Sequence, residues 1–386
     1  MAGSAFKTNI AGGLRPAPKL MLIIGSLQGG GAERQLADMA NYWDASGIAV
    51  TLATWSGAEV RDFYALSPSV SRLWLNLSVP QYLPFARLAS SVRRILKLRR
   101  VLTALRPDAV LSFMDISNVY TIMAAMRLGL HIVVAERTHP HMNRNVTWPW
   151  RVLRRMCYSH ADYVVAQTRA AAHWIEEKCR ARVAVIPNSL RKLPNVSCER
   201  EPLLLGIGRL THEKGFDLLL RAFARLAPRF PAWRLSILGD GPERRALTEL
   251  RDELMLDDRV EFAGEVREVE RWMARAGLVV HPSRREGFPN VVLEAMGMGT
   301  AVICADCQPG LSELIDDGVN GRFVPVDDVN TLALVMAELM AKPELRERLG
   351  TEARKVNCNF EQSIIMEKWD SCVFPRTCQA PSPATA

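Results

Sequence analysis

The sequence predicts an α/β protein of two consecutive Rossmann-like domains, each built on a parallel sheet, with the two sheets facing a central cleft. Three observations predict it. Short apolar runs recur along the chain with helix-length segments between them, the first run ends in a glycine-rich turn, and one aperiodic stretch divides the series in two. The 386 residues, 48% of them hydrophobic, also exceed what one core accommodates, since single cores rarely grow past about 250 to 300 residues.

The first apolar run, 20–24, is a strand that ends in Gly25-Ser26-Leu27-Gln28-Gly29-Gly30-Gly31. A helix then reads over 32–42, with Leu36, Met39 and Ala40 on one face. Further strands fall at 50–53, 109–113, 132–135 and 163–166, and the spacing between them suits crossover helices and a parallel sheet. The strand at 183–186 runs into Pro187-Asn188, and the next dozen residues mix Pro, Ser, Asn and charges without period, which marks a linker. Residues 19–190 are therefore expected to form the first domain, 191–202 the linker and 203–360 the second domain. In the second, strands at 203–207, 234–238, 260–262, 278–281 and 301–304 alternate with helices at 216–226, 242–255 and 290–298. Residues 1–18, rich in Ala, Gly and Pro, read as a flexible tail, and 361–386 as a last helix and a disordered end.

Composition excludes several classes. The longest apolar stretch, 20–25 with Leu27 after it, is far short of the roughly 18 uncharged residues of a membrane span. The amino-terminal residues lack the apolar core of a secretory signal. Eight cysteines without repeated spacing fit reduced thiols in the cytosol. Cys304 and Cys307 form one C-x-x-C without the second ligand pair that zinc requires. Charge is unevenly spread: residues 1–190 hold 23 Lys and Arg against 11 Asp and Glu, a net +12, whereas 191–386 hold 26 against 30, a net −4. The first half is thus suited to an anionic surface, or else simply well solvated. Its cations are not interleaved with stacking aromatics, so nucleic acid is not the expected partner.

Three separated blocks carry chemistry. Gly208 and Arg209 follow a strand, and Lys214 lies five residues after Arg209 in the same loop, so two fixed cations are available for the phosphates of a nucleotide diphosphate. Leu238-Gly239-Asp240-Gly241-Pro242-Glu243 supplies a second tight turn. Glu286-Gly287-Phe288-Pro289-Asn290-Val291, with Glu294 eight positions after Glu286, supplies two carboxylates for hydroxyl pairs. Pro289 is expected in the first turn of a helix whose amino terminus offers amides to an anion. The turn at Gly30 and Gly31 can cradle a phosphate in the same way. Without their context Glu286 and Glu294 would read as a helix cap and a surface charge. No Asp-x-Asp stands in these segments, so no metal is expected.

In order and spacing these blocks resemble the retaining GT-B glycosyltransferases of family 4, over roughly residues 19–360. Among these the likeness is to bacterial enzymes that extend polyprenyl-diphosphate-linked saccharides from UDP-hexoses or UDP-N-acetylhexosamines. The resemblance implies that Arg209 and Lys214 bind the donor diphosphate and stabilise the departing phosphate, that Glu286 contacts the transferred sugar, and that Glu294 holds the ribose. It implies that Gly287, Phe288, Pro289, Asn290 and Val291 line the diphosphate and sugar. Gly30 or Gly31 would reach the donor phosphate or the acceptor, and the stretch up to Val266 would read the base. The last helix would cross back to the first domain. No cofactor is implied.

On the acceptor side the resemblance points to Glu136, Arg137 and His139, with His139 orienting the incoming hydroxyl. Members with His-Asp at this place differ from the His139-Pro140 found here. His139 and His141 lack a third ligand for a metal. Two basic segments are candidates for an anionic cytoplasmic membrane surface. One sets Leu88, Val92, Ile95, Leu98, Leu102 and Leu105 against Arg93, Lys97 and Arg100; the other sets Trp148, Trp150 and Leu153 beside Arg151, Arg154 and Arg155. The expected setting is cytoplasmic, at the inner face of the cell membrane. A transferase acting on a lipopolysaccharide core or a soluble acceptor, a sugar-nucleotide epimerase and an inactive nucleotide-binding scaffold stay open as alternatives.

Overall fold

The computed structural model describes residues 16–77, 84–138, 140, 147–194, 199–307 and 310–375, and of 84–88 the backbone alone. It divides into two units. One comprises the chain up to Pro187 together with the segment from Ile365, and the other runs Asn188–Ile364.

The first unit runs β1 (Lys19–Ile24), α1 (Gly31–Ala45), β2 (Ala49–Thr54), β3 (Ser71–Trp74), α2 (Pro84–Leu105), β4 (Ala109–Phe113), α3 (Asp115–Ala125), β5 (His131–Ala135), α4 (Trp148–Cys157), β6 (Tyr163–Ala166), α5 (Arg169–Cys179) and β7 (Val183–Val185). Its strands form one sheet in the order β3-β2-β1-β4-β5-β6-β7, every pair parallel. Helices on both faces explain the near-continuous apolar runs, as in β4, where all five residues are buried. Strand order reverses at β1, which pairs with both β2 and β4, and the glycine turn leaves the carboxyl end of that strand.

The second unit follows with β8 (Glu201–Ile207), α6 (Phe216–Leu226), β9 (Arg234–Leu238), α7 (Arg244–Glu253), β10 (Val260–Gly264), α8 (Val269–Arg275), β11 (Ala276–His281), α9 (Asn290–Gly297), β12 (Val302–Ala305), β13 (Arg322–Val324), α10 (Val329–Ala341), α11 (Pro343–Ala353) and α12 (Val356–Asn359). The parallel order is β10-β9-β8-β11-β12-β13. Here the reversal falls at β8, so the loops after β8 and β11 flank the place where a doubly wound sheet takes its ligand. Leu219, Phe223, Met336 and Leu339 fill one side of this sheet, and Met273, Val292 and Met296 the other.

The last helix, α13 (Gln362–Val373), begins in the second unit and ends in the core of the first. Trp369 is fully buried and stacks on Phe113 with ring centroids 5.9 Å apart, and Trp43 Nε1 donates to Asp370 Oδ1 at 2.7 Å. His131 Nε2 lies 2.7 Å from the carbonyl oxygen of Cys372.

Two helix faces differ from the sequence expectation. On α2, Leu98 and Leu102 are buried, but Val92 and Leu105 are exposed and Arg94 is inside. Arg94 donates to the Leu77 carbonyl oxygen at 2.6 Å and lies over the Tyr120 ring, which satisfies its charge and lets its methylenes join the core. On α4, Arg151 and Arg155 face solvent while Arg154 is buried; Trp148 is exposed, and Trp150 packs edge-on against Tyr120. Among the described residues no helix is long and apolar enough to cross a membrane.

Candidate functional site

The loops at the carboxyl edge of the second sheet approach one another backbone to backbone, and glycine permits it. Gly239 has φ of 129°, and a Cβ there would collide with the Gly208 carbonyl oxygen; its N–H donates to the Gly264 carbonyl oxygen at 2.7 Å. Gly215, at φ of 67°, ends the 3-10 turn His212–Lys214 and sits so close to the Pro282 carbonyl oxygen that no side chain fits. The loop after β8 is thereby fitted to the loops after β9 and β11, and Lys214 is brought beside Glu286.

Lys214 Nζ donates to Glu286 Oε2 at 2.5 Å. The same oxygen lies 3.1 Å from Nε2 of His281, a buried residue closing β11, so a proton on Nε2 would be shared with the carboxylate. Burial alone would raise the Glu286 carboxyl, but Lys214 and His281 outweigh it and hold it at about 2. A carboxyl held in its ionised form, with the Lys214 side chain against it, results. Lys214 keeps two further N–H donors for a ligand. Arg209 is exposed on the same loop, and no carboxylate among the described residues forms an ion pair with it.

Sequence reasoning singled out Lys214 and Glu286 separately and overlooked His281, which reads as the last residue of an apolar strand. It overlooked Arg284 as well. That side chain meets Asp217 in a two-point fork at 2.7 and 2.8 Å, and donates to the His212 carbonyl oxygen at 2.8 Å and to Asp327 at 2.6 Å. Burial would raise the Asp217 carboxyl, and the Arg284 fork holds it below its ordinary value.

The remaining donor-side residues line the same edge. Gly287 N–H donates weakly to Glu286 Oε1 at 3.3 Å. Phe288 is buried, its ring 6.2 Å from Phe360. Pro289 caps α9 rather than entering its first turn, and Asn290 starts the helix with Oδ1 accepting from Asn188 Nδ2 at 2.5 Å. Val291 and Val266 are half-buried against the same apolar cluster. Glu294 is buried on α9 and faces Arg191 Nε at 3.5 Å, while Arg191 also pairs with Glu270. Arg191 stood in the expected linker and carried no motif. Cys304 is buried on β12, and both its thiol and that of Cys307 are pushed up by burial, Cys307 to about 12. Among the described residues no three potential metal ligands come together.

In the first unit, Gly30 caps α1 and its carbonyl oxygen accepts from Tyr64 Oη at 3.1 Å; Gly31 opens the helix. Glu136 and Arg137 follow β5, and both turn inward instead of presenting their charges at the surface. Tyr158 Oη donates to Glu136 Oε1 at 2.5 Å. Arg154 Nη1 lies 3.6 Å from the same oxygen and 3.9 Å from Asp115 Oδ2. Burial, seconded by the charge of Asp115, pushes the Glu136 carboxyl up to about 7. Arg137 donates to Gln35 Oε1 and lies over the Phe113 ring at 4.7 Å; burial lowers its guanidinium to about 9. His139 lies outside the described residues.

Comparison with known proteins bears on what these loops do. A model described as Glycosyl transferases group 1 matches residues 192–356, and one described as Glycosyltransferase Family 4 matches 29–190. An exopolysaccharide phosphotransferase of Streptomyces coelicolor is 34% identical over 54% of this chain, which spans 23% of that longer protein. The GalNAc-alpha-(1->4)-GalNAc-alpha-(1->3)-diNAcBac-PP-undecaprenol alpha-1,4-N-acetyl-D-galactosaminyltransferase of Campylobacter jejuni is 28% identical over 91% of this chain and 97% of its own. The structure of HepE from Anabaena in complex with UDP and glucose superposes with a TM-score of 0.73, at 19% identity, over 92% of this chain and 98% of that one. The fold is thus that of its GT-B neighbours, with two parallel-sheet Rossmann-like domains. The chain is a glycosyltransferase, composed of a family 4 domain followed by a group 1 domain.

Proposed function

We propose that the protein is a retaining, metal-independent glycosyltransferase of cell-surface polysaccharide or glycan assembly. It moves a hexose or N-acetylhexosamine from a nucleotide-diphosphate sugar, a UDP-sugar foremost, to a polyprenyl-diphosphate-linked saccharide. The observation that carries the reading is the Lys214–Glu286–His281 constellation on glycine-built loops at the edge of the second sheet, with Arg209 exposed on the loop that carries Lys214. The relative from Campylobacter, by its name, acts on an undecaprenyl-diphosphate-linked saccharide, and the HepE structure contains UDP; these support acceptor and donor class.

In this reading Arg209 and Lys214 bind the diphosphate, Glu286 meets the transferred sugar and Glu294 the ribose. Gly208, Gly287, Phe288, Pro289, Asn290, Val291 and Val266 line the donor, and Gly30 or Gly31 contributes from the first domain. The acceptor hydroxyl attacks the anomeric carbon on the face that the phosphate leaves. A bond forms from that oxygen to carbon, the bond from carbon to phosphate oxygen breaks, and the hydroxyl proton passes to the departing phosphate. Positioning and fixed cations supply the catalysis, because charge grows on the phosphate oxygens in the transition state. His139 orients the acceptor, and Glu136 and Arg137 belong to the same acceptor-side segment after β5. The exposed face of α2, where Val92 and Leu96 stand among Arg93, Lys97 and Arg100, meets the anionic membrane surface that holds the lipid-linked acceptor, with Trp148 and Arg151 of α4 as a second contact.

The test is release of nucleotide diphosphate from a panel of UDP- and GDP-sugars in EDTA, with and without a polyprenyl-diphosphate-linked saccharide. Release that needs one donor and the lipid-linked acceptor is expected. Release with a soluble acceptor alone would reassign the acceptor, and nucleotide binding without release under any condition would point to an inactive scaffold.

A further inference from the structure

We infer that Arg284 is a positioning residue for Lys214, tying the loop that carries the cation to the loop that carries Glu286. The inference rests on the reading that Lys214 binds the donor diphosphate. Both loops leave adjacent parallel strands, β8 and β11, and their spacing sets whether Nζ of Lys214 reaches the carboxylate of Glu286. Arg284 bridges them with its backbone and its side chain at once. Its N–H donates to the Glu213 carbonyl oxygen at 2.7 Å, and Nη1 donates to the His212 carbonyl oxygen at 2.8 Å, so the two residues before Lys214 are both held. Its fork closes on Asp217 in the first turn of α6, three residues beyond Lys214, and Nε reaches Asp327 at 2.6 Å. The turn bearing Lys214 is therefore gripped on both sides by one planar group that is itself 15% exposed.

The geometry requires a guanidinium. Lysine would keep the charge but could satisfy only a point contact, and the simultaneous hold on a carbonyl and a two-oxygen fork would be lost. Arg285, the next residue, belongs to the same loop, so charge in the neighbourhood is not what distinguishes Arg284.

A double-mutant cycle tests it. UDP serves as probe, its affinity measured by calorimetry on the full chain for the wild type, Arg284→Lys, Lys214→Ala and the double variant. Arg284→Lys should weaken UDP about tenfold alone and less than twofold once Lys214 is absent, as expected of two residues acting through one contact. Equal losses in both backgrounds, or no loss in the wild-type background while Lys214→Ala is impaired, would overturn the inference and leave the donor-site reading standing. A Lys214→Ala chain that binds UDP like the wild type would overturn the donor-site reading, and this inference with it. Should Arg284→Lys fail to fold, Asp217→Asn opens the same fork from its other side and enters the same cycle.

Discussion

Glu286 in the second unit and Glu136 in the first are both enclosed carboxyls beside a cation, yet Glu286 is held at about 2 and Glu136 is pushed to about 7. Burial raises both, so burial does not separate them. What separates them is the contact each cation makes. Lys214 touches Glu286 at 2.5 Å with His281 as second partner, whereas Arg154 stands 3.6 Å from Glu136 and is shared with Asp115, whose own charge works against ionisation. An unshared cation in hydrogen-bond contact makes a permanent charge. A shared cation beyond contact leaves a carboxyl that gains or loses its proton near neutrality. The second unit thus presents fixed charge at its loop edge, and the first buries a protonatable network at the carboxyl end of β5.

The largest effect should come from breaking the hidden network. Arg154→Leu leaves Glu136 and Asp115 facing each other without their cation, and removing one partner of a buried charge cluster costs about 3 to 5 kcal/mol. Urea unfolding should show this loss in the first unit. A stability within about 0.5 kcal/mol of the wild type would mean that Glu136 is neutral and the network is held by Tyr158 alone.

Breaking the half-buried Lys214–Glu286 pair instead should leave the fold and remove the activity. Lys214→Ala is expected to lower turnover by a factor of about 10² to 10³, the usual consequence of deleting one donor to a charge that grows in the transition state. Nucleotide affinity should fall less. Unchanged turnover in both Lys214→Ala and Arg209→Ala would remove them from the chemistry.

Acidity sharpens the contrast because the two carboxyls are shifted in opposite directions. The folded-state value of Glu136 lies above the ordinary 4.5, so the folded state binds its proton more tightly; its contribution is fully present below about 4.5 and is lost as pH rises through about 7. Glu286 is depressed, so its contribution is present above about 4.5 and is lost as pH falls through about 2. Glu136→Gln should therefore flatten the decline in stability between pH 4.5 and 7, by up to about 1.4 kcal/mol per pH unit, while Glu286→Gln leaves that interval unchanged. Unfolding free energies at three pH values across the interval check both; equal slopes in wild type and Glu136→Gln would contradict the raised value.

The architecture was legible because parallel strands covered on both faces write themselves as apolar runs; β6, β9 and α6 fall at the residues the pattern gave. The two strands that were missed, β3 and β13, are sheet edges of four and three residues, and each contains an arginine where a central strand would carry an aliphatic residue. On the site, Lys214 and Glu286 were visible through the glycines that surround them. Their contact was not, since 72 residues separate them in the chain and only the pairing of β8 with β11 brings their loops together. His281, Arg284 and Arg191 act through contacts made only in three dimensions and belong to no local pattern. Arg154 shows the converse: it looked like a surface cation on a basic helix, and it is buried beside Glu136 and Asp115; Arg94, which no pattern singled out, is buried on the Leu77 carbonyl oxygen.

That inward use of arginine in the first unit makes its outward-facing cations the more informative ones to remove. Of the cations on α2 whose side chains are described, Arg94 serves the core, Lys97 donates to the Leu75 carbonyl oxygen and Arg99 to those of Ala124 and Met126, so Arg93 and Arg100 are the two that stay exposed among the apolar side chains Val92 and Leu96. If this face meets an anionic bilayer, Arg93→Gln and Arg100→Gln should each weaken binding to phosphatidylserine-containing vesicles by about 1 kcal/mol, roughly fivefold. Both effects should shrink with added salt, because exposed charges are screened. The Lys214–Glu286 pair lies in the other unit, so release of nucleotide diphosphate with a short-chain, water-soluble analogue of the acceptor should be untouched. Equal vesicle binding by wild type and double variant at low salt would leave α2 a solvated helix and shift the membrane contact to Trp148 and Arg151.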